Sequence, residues 1–143
     1  MSLHRLIYIS RAKAGIGYYD LRDIQEKSER NNSRDGISGI LCYGNGLFLQ
    51  LLEGGRQAIS TTYHRIAGDP RHTDLELVDF REVEQRLFTL WSMKVTDLGT
   101  QAPEKIRQLH FKHGSSPVFD PTTMSASQCL NLLIELNQMY ENL

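Results

Sequence analysis

Cysteine is scarce in this chain: the 143 residues hold two, Cys42 and Cys129. Cys42 falls in an apolar strand pattern and Cys129 on the apolar face of a helical one. Both read as reduced core residues of a cytoplasmic protein, which leaves no disulfide framework. Charge of one sign is also lacking, since 16 Lys and Arg stand against 17 Asp and Glu for a formal net charge of −1. The two signs are interspersed, so there is no electrostatic reason to expect nucleic acid or an anionic membrane as partner. No apolar run approaches the roughly 20 residues that a spanning helix needs. Met1-Ser2-Leu3-His4-Arg5 passes directly into a strand pattern, and no signal peptide is expected. Low-complexity segments and internal repeats are missing. So are the phosphate-binding G-x-x-x-x-G-K, a G-x-G-x-x-G after a strand, and a nucleophile elbow. These absences remove most enzyme classes and leave one domain with a modest core.

What is present is organised around Gly46-Leu47-Phe48-Leu49-Gln50-Leu51-Leu52-Glu53-Gly54. An apolar run of this length between glycines is the pattern of a strand buried on both faces. Gln50 breaks it, and an unpaired buried amide costs roughly 1–3 kcal/mol. Either the strand meets solvent at Gln50 or the fold supplies a polar partner. We take the partner to be a bound cofactor.

The rest of the chain supplies a frame for that strand. Leu3 to Ser10 is a strand with Leu6, Tyr8 and Ser10 on one face and Arg5, Ile7 and Ile9 on the other. Tyr19 to Asn32 is a helix whose stripe runs Leu21, Ile24, Ser28, then Asn31 or Asn32. Its polar last turns fit a fraying helix end or a ligand edge, and on the helix alone the first is favoured. Asp35-Gly36 is expected to open a hairpin of strands Ile37–Tyr43 and Leu47–Glu53 across Gly44-Asn45-Gly46. A second helix, Gly55 to Ala67, stops at Gly68-Asp69-Pro70. Leu75 to Val83 is a charged, edge-like strand. Trp91 to Leu98 is a strand with Trp91, Met93 and Val95 on one face. The order β-α-β-β-α-β-β predicts an α+β, ferredoxin-like fold with a five-stranded mixed sheet, two helices on one face and the C-terminal helices packing on the other.

The last forty-odd residues are helical in pattern. Pro103 stands near a helix start, and Ser125 with Gln128 forms a capping-box signature. Cys129, Leu132, Leu133, Leu136 and Met139 make a wide apolar stripe that the open sheet face or another subunit must cover. His110 and His113 lie one helical turn apart and read as surface histidines, since no cysteine or carboxylate sits at ligand spacing, and no metal is expected. His72 is expected in an exposed loop. Tyr8, Gln50, Ser28, Asn31, Asn32, Arg65, Trp91 and Met93, with Ile24 and Ile66 as apolar jaws, converge on the cleft between sheet and helix pair. Such a slot suits a planar heterocycle with several acceptors. The residues alone leave that reading level with one in which each is separately satisfied.

The chain closely resembles the BLUF family of blue-light sensors using flavin. The resemblance rests on Arg5-Leu6-Ile7-Tyr8-Ile9-Ser10 and on the run from Asn32 through Gly36 to Leu41. It continues through Phe48-Leu49-Gln50-Leu51-Leu52-Glu53-Gly54, Asp69-Pro70-Arg71-His72, and Phe88 with Trp91-Ser92-Met93. The C-terminal helices, with no effector domain after them, resemble the short PixD-type members from cyanobacteria. The resemblance implies a flavin-binding domain over residues 1–100 with a helical extension over 101–143 in the same structural unit. It implies non-covalent FAD, with FMN as the other option. Asn31, Asn32 and Arg65 would bond the ring's carbonyl edges, Ile24 and Ile66 would clasp it, and His72 would lie at its pyrimidine end. In the family scheme Tyr8 gives an electron to the light-excited flavin, a proton moves through Gln50, and Gln50 is left rearranged by rotation, tautomerisation or both. A small, reversible red shift results. Trp91, Met93 and Ser28 would relay the change to the C-terminal helices. The same resemblance implies a ring-type homo-oligomer, a decamer, and a response-regulator-like partner of PixE type in phototaxis. It implies a switch rather than an enzyme. The competing readings are a light-independent metabolite-binding regulatory domain and, with least support, a small flavoenzyme.

Overall fold

The computed structural model describes residues 2–89, 93–99 and 102–141. Its elements follow the order β1 (Leu3–Ala12), α1 (Tyr18–Asp35), β2 (Ser38–Gly44), β3 (Leu47–Gly55), α2 (Arg56–Ala67), β4 (His72–Val83) and β5 (Lys94–Asp97). After these come α3 (Glu104–His113), a 3-10 turn (Pro121–Thr123) and α4 (Ala126–Glu141). The strands form one sheet in the order β4-β1-β3-β2-β5. β1 runs antiparallel to both β3 and β4, β2 antiparallel to β3, and β5 parallel to β2. This is the expected ferredoxin-like α+β arrangement with a mixed five-stranded sheet.

Strand periodicity sorts the sheet into two faces. Ile7 and Ile9 of β1, Ile40 and Cys42 of β2, and Leu49 and Leu51 of β3 turn toward the C-terminal helices. There they form the main core with Leu109 of α3 and Cys129, Leu132, Leu133 and Leu136 of α4. The wide stripe of α4 is thus covered by the sheet of its own chain. The opposite face presents Leu6, Tyr8, Leu41, Phe48 and Leu52 to α1 and α2. Covering both faces explains why β3 is buried from Leu47 to Gly54 and so apolar in sequence. β4 is an edge strand, with Asp74, Glu76, Arg81 and Glu82 exposed as its composition predicts.

The boundaries depart from expectation at several places, each for a local reason. α1 continues three residues past Asn32 to Asp35 and ends at Gly36, whose φ of 70° supplies the left-handed cap. Asp35-Gly36 therefore closes the helix instead of opening the hairpin. The hairpin turn is Asn45-Gly46, both at positive φ (53° and 72°), a two-residue turn whose twist suits the strands. β4 begins at His72, so this residue is a buried strand position and not part of an exposed loop. β5 begins at Lys94, just after Met93, and Trp91 lies outside the described residues. His110 and His113 also differ from the surface reading. His110 is buried with Nε2 3.1 Å from the Pro117 carbonyl, and His113 Nε2 lies 2.5 Å from Glu135 of α4. No group of three or more metal-ligating residues is found among the described residues. The Ser125–Gln128 box is formed as predicted: Gln128 N–H donates to Ser125 Oγ (3.1 Å), and Ser125 N–H donates to Gln128 Oε1 (2.8 Å). No described helix is long and apolar enough to cross a membrane.

Leu133 is fully buried between α4 and the sheet. Leu133→Ala is expected to lower unfolding stability by about 2–5 kcal/mol, read from the urea midpoint at unchanged slope. A stripe that served only to join subunits would show the loss in self-association instead.

Candidate functional site

The site is built on the pairing of β1 with β3. Register sets Tyr8 directly opposite Gln50, and both side chains point to the face covered by α1 and α2. Both are buried. Tyr8 Oη donates to Gln50 Oε1 over 2.5 Å. That assigns the amide's carbonyl end to Tyr8 and leaves its donor end to Met93, whose Sδ lies 3.5 Å from Nε2. A thioether is a weak acceptor, so among the described residues the donor end of this buried amide has no strong partner. Burial pushes the Tyr8 phenol well above its ordinary range, with Tyr63 and Asp69 adding to the effect. The phenol is therefore neutral and a donor at any physiological pH. Tyr63 contacts its ring edge-on at 5.6 Å between centroids, and His72 at 6.3 Å.

Above this pair, between α1 and α2, lies a cavity of about 680 Å³, within the roughly 300–1,000 Å³ usual for small-molecule sites. Tyr8, Leu41, Phe48 and Gln50 form its floor. Ile24 projects from α1 and Ile66 from α2, giving the two apolar jaws. Ser28, Asn31 and Asn32 line it along the last turns of α1, and Arg65 from α2. Asn32 is almost wholly buried, and its backbone carbonyl accepts from Ile37 N–H (2.8 Å), so the helix end is anchored and not frayed. The polar helix end is thus a packed wall of the cavity.

His72 lines the cavity but spends both ring nitrogens on the protein. Nε2 lies 2.6 Å from the Ile66 carbonyl and Nδ1 2.8 Å from Ser10 Oγ. A carbonyl only accepts, so Nε2 carries the proton; in the neutral ring Nδ1 accepts from the Ser10 hydroxyl. The histidine is a strut between β1 and the end of α2.

Sequence reasoning missed the charged rim. Arg71 Nη1 reaches Asp23 on α1 (2.8 Å) and Nη2 reaches Asp69 (2.7 Å), tying α1 to the loop after α2, while Lys27 adds a bond to Asp23 (3.1 Å). Bonds from Lys27 and then Arg71 hold the Asp23 carboxyl below the usual carboxylate range, and Arg71 does the same for Asp69. The one available signal was the i, i+4 spacing of Asp23 and Lys27 beside Ile24. The nine expected cavity residues Tyr8, Ile24, Ser28, Asn31, Asn32, Gln50, Arg65, Ile66 and His72 all line it. Met93 touches Gln50, and Trp91 lies outside the described residues.

The donor set fits a flat, acceptor-rich ring. Amides and a guanidinium stand at its edges, aliphatic jaws lie on both sides, and one floor amide has its donor end weakly engaged.

The chain is similar to several known proteins. The family model described as sensors of blue-light using FAD matches residues 3–94. The photoactivated adenylate cyclase subunit beta of Euglena gracilis is 35% identical over 129 residues, covering 86% of this chain and 15% of that protein. The chain thus spans about 15% of the length of the cyclase relative it matches. A structure described as the BlsA photo-activated state superposes with a TM-score of 0.83 at 26% identity, covering 94% of each chain. Klebsiella pneumoniae BlrP1 with FMN and cyclic diGMP gives a TM-score of 0.63 at 31% identity, covering 67% of this chain and 24% of that one.

The rim pair generates a pH prediction. Asp69 is depressed in the folded state, so its contribution is complete above its ordinary value of 3.8 and is lost as pH falls through the lower, folded value. A carboxyl-carbon NMR titration should place the Asp69 midpoint below 3.8 and return it toward that value in Arg71→Ala. An unmoved midpoint would remove Arg71 as the cause.

Proposed function

The chain belongs to the BLUF family, sensors of blue light using FAD, and from that premise we propose that it is a blue-light photoreceptor whose moving part is Gln50. The observation that carries the reading is the split engagement of this amide, strong to Tyr8 at the carbonyl end and weak to Met93 at the donor end. Asn31, Asn32 and Arg65 would hold a flavin by its carbonyl edges, Ile24 and Ile66 would clasp it, and His72 would close one end. FAD is the cofactor of the family's description, and FMN is the one named for BlrP1. When bound, the flavin supplies the blue-light-absorbing group and a reversible electron acceptor.

The protein's part is a proton and an amide. Tyr8 holds its proton in a 2.5 Å bond to Gln50 Oε1, so the proton has a prepared acceptor whenever Tyr8 becomes electron-poor. An amide that gains or loses this bond can turn or tautomerise. A half-turn places Nε2 toward Tyr8 and the carbonyl toward Met93. A thioether offers a carbonyl no donor, so the Met93 contact is lost in that state. Two arrangements of one side chain, differing in what they bond, make a switch.

Met93 leads directly into β5, and β5 touches the C-terminal helices. Thr96 Oγ1 donates to Tyr140 Oη of α4 over 2.9 Å, and Lys94 Nζ lies 4.7 Å from the centre of the Tyr140 ring. We take this as the output route, with Trp91, Met93 and Ser28 as relays. On this reading residues 1–100 are the flavin-binding part and 101–143 the output helices. The chain is a switch, not an enzyme, and acts in the cytoplasm on a partner of response-regulator type, as in phototaxis. Because the sheet covers the α4 stripe, a ring-type homo-oligomer or decamer would use other surfaces, such as exposed Phe111 and Val118.

Purified protein should be yellow, and its flavin band should shift to the red under blue light and relax in darkness. Gln50→Leu and Tyr8→Phe should each bind flavin without the shift; a Gln50→Leu protein that cycled normally would refute the assignment. Met93→Ala should keep the shift and lose the partner's response. Colourless protein that takes up neither added FAD nor FMN would overturn the whole reading.

A further inference from the structure

A second buried polar centre lies at the far end of β3. Glu53 is completely buried, and its carboxylate accepts from Arg5 Nε of β1 (2.8 Å), from Leu87 N–H (3.0 Å) and from Phe88 N–H (2.8 Å). The last two belong to the connection between β4 and β5. Arg86 of the same connection donates from Nη1 to Ser38 Oγ (2.8 Å) and to the Glu53 carbonyl (3.0 Å), and from Nη2 to the Gly36 carbonyl (2.6 Å). Phe88 then drops into the main core. Hydrogen bonds from three consecutive residues therefore pin the connection to β3, to Ser38 at the start of β2 and to the Gly36 cap of α1.

Geometry explains why a pin is needed. The connection leaves one edge of the sheet at β4 and enters the other at β5, a crossing of four strand spacings, roughly 19 Å. Ten residues, 84 to 93, can reach about 35 Å when extended, so the crossing alone leaves slack. The pin shortens the free span, because from Phe88 only five residue steps remain to Met93, about 18 Å at full extension. Gln50 stands three residues before Glu53 on the same strand. The two ends of the Gln50–Met93 contact are thus referred to one fixed point.

We propose that Glu53 and Arg86 are positioning residues that hold Met93 against Gln50, and so set the lifetime of the switched state; the lifetime part rests on the photoreceptor reading above. The carboxylate suits this role because it takes several donors at once, and a buried charge without them would be strongly unfavourable.

The test uses the flavin-bearing full chain with Arg86→Ala, Arg86→Lys and Glu53→Gln. Arg86 is only partly buried and provides the variant that keeps the core charge pair intact. In darkness the Met93 methyl NMR resonance should move in Arg86→Ala and return most of the way in Arg86→Lys. On illumination Arg86→Ala should still show the red shift, since Tyr8 and Gln50 are untouched. Its dark-recovery rate should change by roughly two- to tenfold, the factor that the net worth of one hydrogen bond gives. Glu53→Gln, which keeps an acceptor but loses the charge, should alter recovery in the same direction. An unmoved Met93 methyl in Arg86→Ala overturns the positioning role, even if the variant is less stable. If that methyl moves while the unaltered protein shows no light-induced shift, the positioning role stands and the photoreceptor reading fails.

Discussion

The antiparallel register of β1 on β3 is the constraint from which the rest of the site follows. Side chains alternate with a period of two, so one residue of slip in β3 would turn Gln50 into the aliphatic core, expel Leu51 from it and part Gln50 from Tyr8. The register is held by that core, since Ile7, Ile9, Leu49 and Leu51 are all buried against α3 and α4. A polar pair on one face is thus positioned by apolar packing on the other. The C-terminal helices, none of whose described residues line the cavity, are what keep the site in alignment.

Two layers of helix divide the work. α3 and α4 seal one face with close aliphatic packing, whereas α1 and α2 cover the other through smaller apolar clusters and leave the cavity between them. Their closure there is electrostatic. Arg71 bridges Asp69 to Asp23, and His72 links the Ile66 carbonyl to Ser10. Charged rim bonds in contact with water are individually weak. That permits a ligand of some bulk to enter between helices whose bases are firmly held.

The Gln50 amide lies where these layers meet. Its pairing with Tyr8 offsets most of the cost of burying it, and its weak contact with Met93 leaves part of its hydrogen-bonding capacity for a ligand or for an alternative orientation. The connection pinned at Glu53 and the Thr96–Tyr140 bond lie on either side of Met93, one before it in the chain and one after. Met93 is therefore flanked in the chain, before and after, by residues bonded to other elements of the fold.

Much of this was legible before any coordinates. The order of elements, the two-faced burial of β3, the edge character of β4, the Asn45-Gly46 turn and the Ser125–Gln128 cap all follow from local rules of periodicity and backbone preference. The anomaly of Gln50 was visible for the same reason, as a polar residue inside a pattern that excludes one. What local rules could not reach were contacts between residues distant in sequence. His72 read as an exposed loop residue because nothing nearby reveals Ser10 and the Ile66 carbonyl. His113 read as surface for want of a carboxylate, which Glu135 supplies from 22 residues beyond it. Asp23 and Arg71 meet across 48 residues, as do Arg5 and Glu53. The sequence by itself determined which segments are strands and helices and which face of each is apolar, because those depend on neighbours within a few residues. Only the tertiary structure decided what each polar side chain bonds to, because a hydrogen bond depends on a few ångströms of distance between elements that periodicity does not specify.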